Sequence, residues 1–140
     1  MCDHCGCRSY PAIAELTDEH DTILALAWEV ATGTGEPRLR ARAELLELLD
    51  RHVDKEERAL YPLLVETGDL GTADREVLEA EHGHLRELLA EDSFDRQRYY
   101  ELASHAEEEE SELFPMAMFG FDDQDWQKMS EVRHRAENRR

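Results

Sequence analysis

The sequence predicts an all-α protein, built as an up-down-up-down four-helix bundle with a short fifth helix at its C-terminus. Ala, Leu, Glu and Arg dominate the chain and β-branched residues are few, a composition that favours helices over strands. Apolar residues recur at helical spacing through four long segments. The connections between these segments are short, which favours antiparallel neighbours.

Four breaks in the helical pattern divide the chain, and each contains turn-forming Gly or Asp residues. They are GTGE at 33–36, ETGDLG at 66–71, EDSFD at 91–95 and FGFDD at 119–123. The first helix is predicted from after Pro11 to about Thr32, the second from Pro37, the third from about Thr72 to Ala90, the fourth between the last two breaks, and the fifth around Trp126, Met129 and Val132. The final RHRAENRR is expected to be a polar, frayed tail that exposes His134.

A chain of 140 residues has the length of a single core. Its expected parts are an N-terminal tail (1–11), the bundle (12–119) and a C-terminal helix with its tail (120–140). The formal net charge of −18 repels phosphates, which argues against nucleic acid and anionic membrane as partners. No apolar run approaches the roughly 20 residues that span a bilayer, and no signal peptide is evident. We therefore expect a cytoplasmic protein; its oligomeric state is left open.

Histidines and glutamates occupy positions that the periodicity assigns to the core. His20 shares the face of Leu16 and Ile23 on the first helix, and His82 shares the face of Leu78 and Leu85 on the third. The second and fourth helices each carry a His followed by a Glu one turn later. These positions form a repeat, since HVDKEERALYP at 52–62 aligns with HAEEEESELFP at 105–115. The inward ionisable residues are His20, His52, Glu56, His82, His105 and Glu109.

Six ionisable groups in one apolar core predict bound cations. Without compensation they would cancel most of a net stability of roughly 5–15 kcal/mol. Imidazoles and carboxylates are ligands for Fe, Mn or Zn, and carboxylates can bridge two ions. Bundle cores hold metal pairs in this way. The repeat therefore predicts a dimetal site in which each half supplies a His and a bridging Glu.

A lone His on the first and third helices, with HxxxE on the second and fourth, resembles the hemerythrin-like, or HHE cation-binding, family. The resemblance spans about 12–118 and includes the EH pairs at 19–20 and 81–82. It implies two iron ions with an oxo or hydroxo bridge, held by four histidine ligands and two bridging glutamates. Those residues are His20, His52, His82 and His105, with Glu56 and Glu109 as the bridges.

The resemblance also shows departures from the oxygen carriers of the family. The carriers have a further third-helix histidine where this chain has Arg86, and His84 lies near the opposite face. The carriers use an aspartate where this chain has Glu110. Fewer protein ligands leave more open metal positions, which favours reaction over reversible storage. Arg86 is expected either to pair with a glutamate near the site or to extend outward.

The sequence is compatible with three functions of different classes. The first is a di-iron protein that reacts with dioxygen, peroxide or nitric oxide, with peroxidase-like, catalase-like or NO-consuming activity in stress protection and a redox partner. No side chain is nominated as a catalytic nucleophile. The second is a reversible dioxygen or iron binder, or a redox sensor, without multiple turnover. The third is a bundle with structural zinc.

Two further features of the sequence have alternative interpretations. Glu57 and Glu110 lie about 100° round the helix from the inward glutamates, which predicts solvated groups or groups that support the ligands. Tyr61-Pro62 and Phe114-Pro115 are expected to bend or close their helices and to cap the pocket.

The N-terminus carries a separate cluster, CDHCGC, with all three cysteines of the chain. Cys2, Cys5 and Cys7 could bind a soft metal with His4 or cycle between dithiol and disulfide. The alternative is a mobile tail with non-specific thiols.

Overall fold

The structure is a computed structural model, and it describes residues 10–138. Over this range the chain is all-helical, as the composition predicts, and no strand occurs among these residues. Cysteines 2, 5 and 7 and His4 lie outside the described residues. No helix in the described part of the chain is both long and apolar enough to span a bilayer.

The helices fall close to the predicted bounds. In chain order they are α1 (Pro11–Thr32), α2 (Gly35–Lys55), a π-helical turn (Glu56–Leu60), α3 (Tyr61–Glu66), α4 (Thr72–Ala90), α5 (Arg96–Glu108), a second π-helical turn (Glu109–Leu113), α6 (Phe114–Gly120) and α7 (Asp123–Glu137). The chain stays helical from α2 through α3 and from α5 through α6. The proline pairs therefore do not close the second and fourth helices.

Local chemistry explains several of these bounds. Gly35 has φ of +67°, a conformation that glycine adopts without a steric penalty, and it permits the short turn between α1 and α2. The side chain of Asp95 accepts a hydrogen bond from the Arg98 N–H and caps α5. Asp122 and Asp125 form a capping box that fixes the start of α7.

α7 extends further than the sequence pattern suggests. The expected frayed tail is helical to Glu137, and Ala136 is buried there. Ion pairs hold this part of the helix, since Arg133 pairs with Glu15 of α1. His134 is exposed, as predicted.

Two apolar clusters form the core and leave a polar layer between them. The first gathers residues from the start of α1, both proline-containing segments and α7, with Leu60, Leu64 and Phe114 fully buried. The second gathers residues from the rest of α1, α2 and α4, including Leu45 and Leu89. His20 follows Leu16 of the first cluster and precedes Ile23 of the second. The polar layer therefore crosses the bundle at the level of His20.

Candidate metal centre

The six ionisable side chains predicted to face inward meet in this polar layer. They form two overlapping groups of four, and within each group the potential ligand atoms lie within 4.8 Å of one another. Glu56 and Glu109 belong to both groups and are 0 % exposed. The first group adds His20 and His52, and the second adds His82 and His105. The structure therefore brings together every residue of the predicted main site.

Glu56 is shared between the two histidine pairs through its two different oxygens. Oε2 lies 3.2 Å from Nε2 of His52, and Oε1 lies 3.2 Å from Nε2 of His82. A carboxylate that presents one oxygen to each pair has the arrangement needed to bridge two cations.

Glu109 shares only one of its oxygens with the histidines. Oε1 lies 3.1 Å from Nε2 of His20 and 3.5 Å from Nε2 of His105. Oε2 instead accepts a 2.6 Å hydrogen bond from the hydroxyl of Tyr61. Burial and the neighbouring Glu56 and Glu109 carboxylates raise the pKa of Tyr61, so the phenol keeps its proton. The two glutamates of the repeat are therefore not equivalent.

The π-helical turns explain how Tyr61 reaches the site. Pro62 has no N–H for the carbonyl of Arg58, and its ring would crowd that carbonyl in a regular α-helix. The helix widens instead, and the Tyr61 N–H donates to the Glu56 carbonyl five residues back. Residue 61 is thereby brought towards the face of Glu56. Its ring stacks on His82, with centroids 5.9 Å apart.

The second π turn repeats this arrangement with an aromatic ring that lacks a hydroxyl. The Phe114 N–H donates to the Glu109 carbonyl, and Phe114 stacks on His20 at 5.6 Å. Tyr61 does more than the expected capping of the pocket, because its hydroxyl reaches a glutamate of the site.

Each histidine of the site also contacts a carboxylate through its outer nitrogen, Nδ1. The contacts are Glu110 to His20 at 2.8 Å, Glu19 to His52 at 2.9 Å, Glu57 to His82 at 2.7 Å and Glu81 to His105 at 3.3 Å. An ionised carboxylate can only accept, so each Nδ1 carries a proton and each Nε2 faces inward. Glu57 and Glu110 thus support the histidines, one of the two roles the sequence allowed.

These partners are the glutamates next to the inward residues in the sequence. Glu19 precedes His20 but contacts His52, and Glu57 follows Glu56 but contacts His82. An adjacent residue points about 100° away from the bundle axis, towards a neighbouring helix. The EH and EE pairs of the sequence therefore encode the cross-helix contacts.

In the metal-free chain, protons on the histidines supply the positive charge that bound cations would supply. Burial opposes charge on His52, but attraction to Glu56 and the hydrogen bond to Glu19 outweigh it and raise its pKa to about 10. Burial likewise opposes charge on His20, whose bonds to Glu109 and Glu110 raise its pKa to about 9.

The donor set fits a pair of metal ions. Glu56 Oε2 is buried, and its 3.2 Å approach to Nε2 of His52 is an ion-pair contact without hydrogen-bond geometry. Nε2 of His82 and Nε2 of His105 face each other at 3.2 Å. Two nitrogens bound at about 2.1 Å at right angles on one ion would lie about 3.0 Å apart. Imidazole and carboxylate together suit Fe, Mn or Zn.

A buried lysine connects the site to the C-terminal helix. The ammonium of Lys55 is paired with Glu15, lies 2.7 Å from Glu19 and lies 2.9 Å from Glu137 of α7. Because Glu19 also holds His52, α7 is linked to the site through two charged side chains. Nothing in the sequence pattern singled out Lys55, apart from its position one residue before Glu56. The carboxylates of Glu15, Glu19 and Glu137 are close enough for a cation, and this ammonium occupies that role.

The remaining candidates lie away from the site. Arg86 extends outward and pairs with Asp50 at 3.4 Å, so it fills no ligand position. His84 is exposed, as its spacing from His82 predicts. The cysteine cluster lies outside the described residues, and its role stays a prediction.

A small apolar cavity adjoins the histidines and glutamates. Its volume is about 20 Å³, and Ile23, Leu49, Val53, Leu85 and Leu102 provide its apolar walls. A space of this size holds about one water-sized probe. It therefore suits a small ligand rather than an organic substrate.

Comparison with known protein families identifies a match to most of the chain. Residues 11–117 match the family described as "Hemerythrin HHE cation binding domain". No curated protein and no solved structure matches the chain.

Proposed function

Since this chain belongs to the hemerythrin HHE cation-binding family, we propose that it is a non-haem di-iron protein that binds and reacts with dioxygen, peroxide or nitric oxide. The observation that carries the proposal is the position of Glu56, whose two oxygens face two separate histidine pairs. Such an arrangement is suited to two ions and not to one. The buried His and Glu groups support metal binding. The identity of the metal as iron is our proposal.

His20, His52, His82 and His105 would hold the ions, with Glu56 as a bridge and Glu109 shared through Oε1. Two bound irons would supply Lewis acidity and exchangeable electrons to the small ligand. The outer carboxylates keep each imidazole in the tautomer that directs Nε2 inward. The apolar walls exclude bulk water, and Tyr61 holds a proton at the carboxylate of Glu109.

The number of protein ligands favours reaction over carriage. Six side chains converge on the site, and the structure turns Arg86 away from it. Two six-coordinate ions need more donors than these side chains provide. Open positions are therefore left for the small ligand, next to the cavity of about 20 Å³. Protection against peroxide or nitric oxide is the physiological role that we propose.

The test is anaerobic iron loading followed by addition of peroxide or nitric oxide in large excess. We expect two irons per chain, a visible absorption change, and consumption of ligand far beyond the iron present. His84→Ala is the matched control, because it removes an exposed histidine of α4 while His82 stays in place. Loading of two irons with only stoichiometric spectral changes would reject turnover and support the second function below.

A second function, a sensor without multiple turnover, is favoured by the contacts of Lys55. They connect His52 through Glu19 to Glu137 on α7, so a change at His52 can reach the C-terminal helix. The test is Trp126 fluorescence in a Trp28→Phe background, recorded as iron and then peroxide are added. Replacing Cys2, Cys5 and Cys7 with Ser shows whether the N-terminal cluster contributes, because iron binding should persist while redox behaviour changes. A bundle with structural zinc in place of iron would show no visible chromophore when peroxide or nitric oxide is added.

A further inference from the structure

The repeat makes the two halves of the site alike, but the structure closes only one of them. Leu49 and Leu102 each lie three residues before a site histidine, and Lys55 and Glu108 each lie three residues after one. Leu49 is buried, whereas Leu102 is partly exposed. Equivalent sequence positions therefore have different access to solvent.

Charge explains how the first half is closed. Lys55 gathers carboxylates from α1 and α7 over the outer side of His52. The side chain of Glu19, which holds His52, is only 13 % exposed.

The second half has Glu108 in place of Lys55. Its carboxylate repels those around it instead of gathering them, and Glu108 is exposed. Glu81, the partner of His105, is 49 % exposed. No residue of α7 lines the cavities on this side.

A second cavity, the outer cavity, lies between α4 and α5 in the open half of the site, which contains His82 and His105. Its volume is about 80 Å³, and Leu85, Leu88 and Leu102 form its apolar wall while His82 and His105 lie at its base. The inner cavity of about 20 Å³ is lined by four of the same residues, including Leu85 and Leu102. These shared side chains border both cavities.

We propose that small ligands reach the metal centre between α4 and α5, that Leu102 acts as the gate, and that the acidic rim selects uncharged ligands over anions. This inference rests on the proposed function and names the ligand class for the same site: uncharged molecules of a few atoms, such as dioxygen, nitric oxide or hydrogen peroxide. Anions of similar size would be disfavoured at the rim.

The charges around the opening support this selectivity. Glu81, Glu101 and Glu108 line the outer cavity and the shallow depression beside it. Arg98 is the cation of this rim among the described residues, and its guanidinium is bound to Glu101 at 3.0 Å. A net charge of −18 for the chain adds to the repulsion. Fields of this kind change the association rates of charged ligands and leave neutral ligands unaffected.

The gate is tested by the association rates of nitric oxide and azide with the iron-loaded protein. Leu102→Ala should increase both rates several-fold, because it removes a side chain that borders both cavities. Leu46→Ala is the matched control, since Leu46 is also partly exposed and packs on the second apolar cluster away from the cavities. Unchanged rates for Leu102→Ala, or an equal increase for Leu46→Ala, would overturn the access route.

The charge selectivity is tested by Glu101→Gln, which removes one negative charge and leaves Arg98 without this partner. We expect a several-fold faster association of azide, a weaker dependence of that rate on salt, and no change for nitric oxide. Glu44→Gln makes the same charge change at an exposed position of α2. If azide responds equally to both variants, the rim has no selective role and this part of the proposal is wrong.

A measurement without iron separates this inference from the proposed function. Crystals of the metal-free chain under xenon should show a xenon atom in the outer cavity, because apolar cavities take up such probes. Leu102→Trp should abolish it. Absence of xenon from the wild-type cavity would overturn the route. If xenon binds as expected but the iron-loaded wild-type protein binds neither nitric oxide nor azide, the proposed function is wrong. The existence of the outer cavity is confirmed in that case.

Discussion

The hydroxyl of Tyr61 donates a 2.6 Å hydrogen bond to Oε2 of Glu109, across the interior of the bundle. This contact makes the two halves of a repeated site chemically different. The equivalent ring in the other half, Phe114, has no hydroxyl to offer Glu56.

Tyr61→Phe should therefore change the site without dispersing it. It removes the donor from a buried carboxylate oxygen, which costs about 1–3 kcal/mol in the metal-free chain. With iron bound, the freed oxygen can turn towards an ion, so we expect a changed visible spectrum with two irons retained. Melting curves and spectra of both forms check this. Tyr99→Phe, where the ring packs on Trp28, is the control. An unaltered spectrum would contradict a role for this hydroxyl at the metals.

His52→Ala and Glu56→Ala should lose iron and thermal stability together. Each variant removes a donor that the structure places in the shared site, and metal binding is linked to folding. At an iron concentration about a thousandfold above Kd, the lost stabilisation is about 4 kcal/mol. Iron analysis and melting temperatures with and without iron check the result. His84→Ala should behave as wild type. Retention of two irons by both ligand variants would reject the assignment.

The pH dependence of stability should differ between the metal-free and loaded chains. The pKa of His52 is raised from 6.5 to about 10 in the folded chain, so its stabilisation is complete below pH 6.5 and is lost as pH rises through about 10. The pKa of His82 is also raised to about 10, with the same sign.

The carboxyl of Glu56 titrates with the opposite sign. Burial would raise its pKa, but attraction to His52 and hydrogen bonds to the histidines hold it well below 4.5. Its stabilisation is present above 4.5 and is lost as pH falls through the lowered pKa. We expect the metal-free melting temperature to fall as the pH rises from about 6.5 to about 10, and iron, which replaces the protons, to remove much of that fall. Identical alkaline profiles with and without iron would contradict this.

Lys55→Met should loosen α7 and weaken the hold on His52. The variant leaves Glu15, Glu19 and Glu137 without their shared cation. Because these partners are partly exposed and screened by solvent, we expect the free energy of unfolding to fall by about 1–3 kcal/mol. Urea unfolding and the rate of iron transfer to a chelator check it, and both should change. Lys128→Met, at an exposed position of α7, is the control. An unchanged iron release rate would show that Lys55 does not position Glu19 against His52.

The sequence predicted the inward residues of the main site because their positions depend on local geometry. A His and a Glu four residues apart share one face of any helix, as His52 and Glu56 do. The helix bounds followed from the same periodicity and from turn-forming residues. The structure thus agrees with the sequence where one helix alone decides the outcome.

The features that the sequence did not predict depend on contacts between helices. Glu19 supports His52, and nothing within α1 alone indicates that contact. Pro62 was expected to bend or close its helix. Its missing N–H can instead be accommodated by a wider helical turn, but only when the surrounding core favours that turn. Ala136 is buried close to the ion pairs that Arg133 makes with Glu15 and that Glu137 makes with Lys55, and these pairs link distant parts of the chain.

The wide turn after Glu56 has a consequence for protein engineers. Transplanting the two His-x-x-x-Glu pairs and the two lone histidines onto straight helices of a designed scaffold would reproduce the six donors. It would leave the residue after Leu60 about 140° away from the grafted glutamate instead of nearly above it. The copied centre would lack the phenol of Tyr61, so a faithful graft must carry the proline and its irregular backbone along with the ligands.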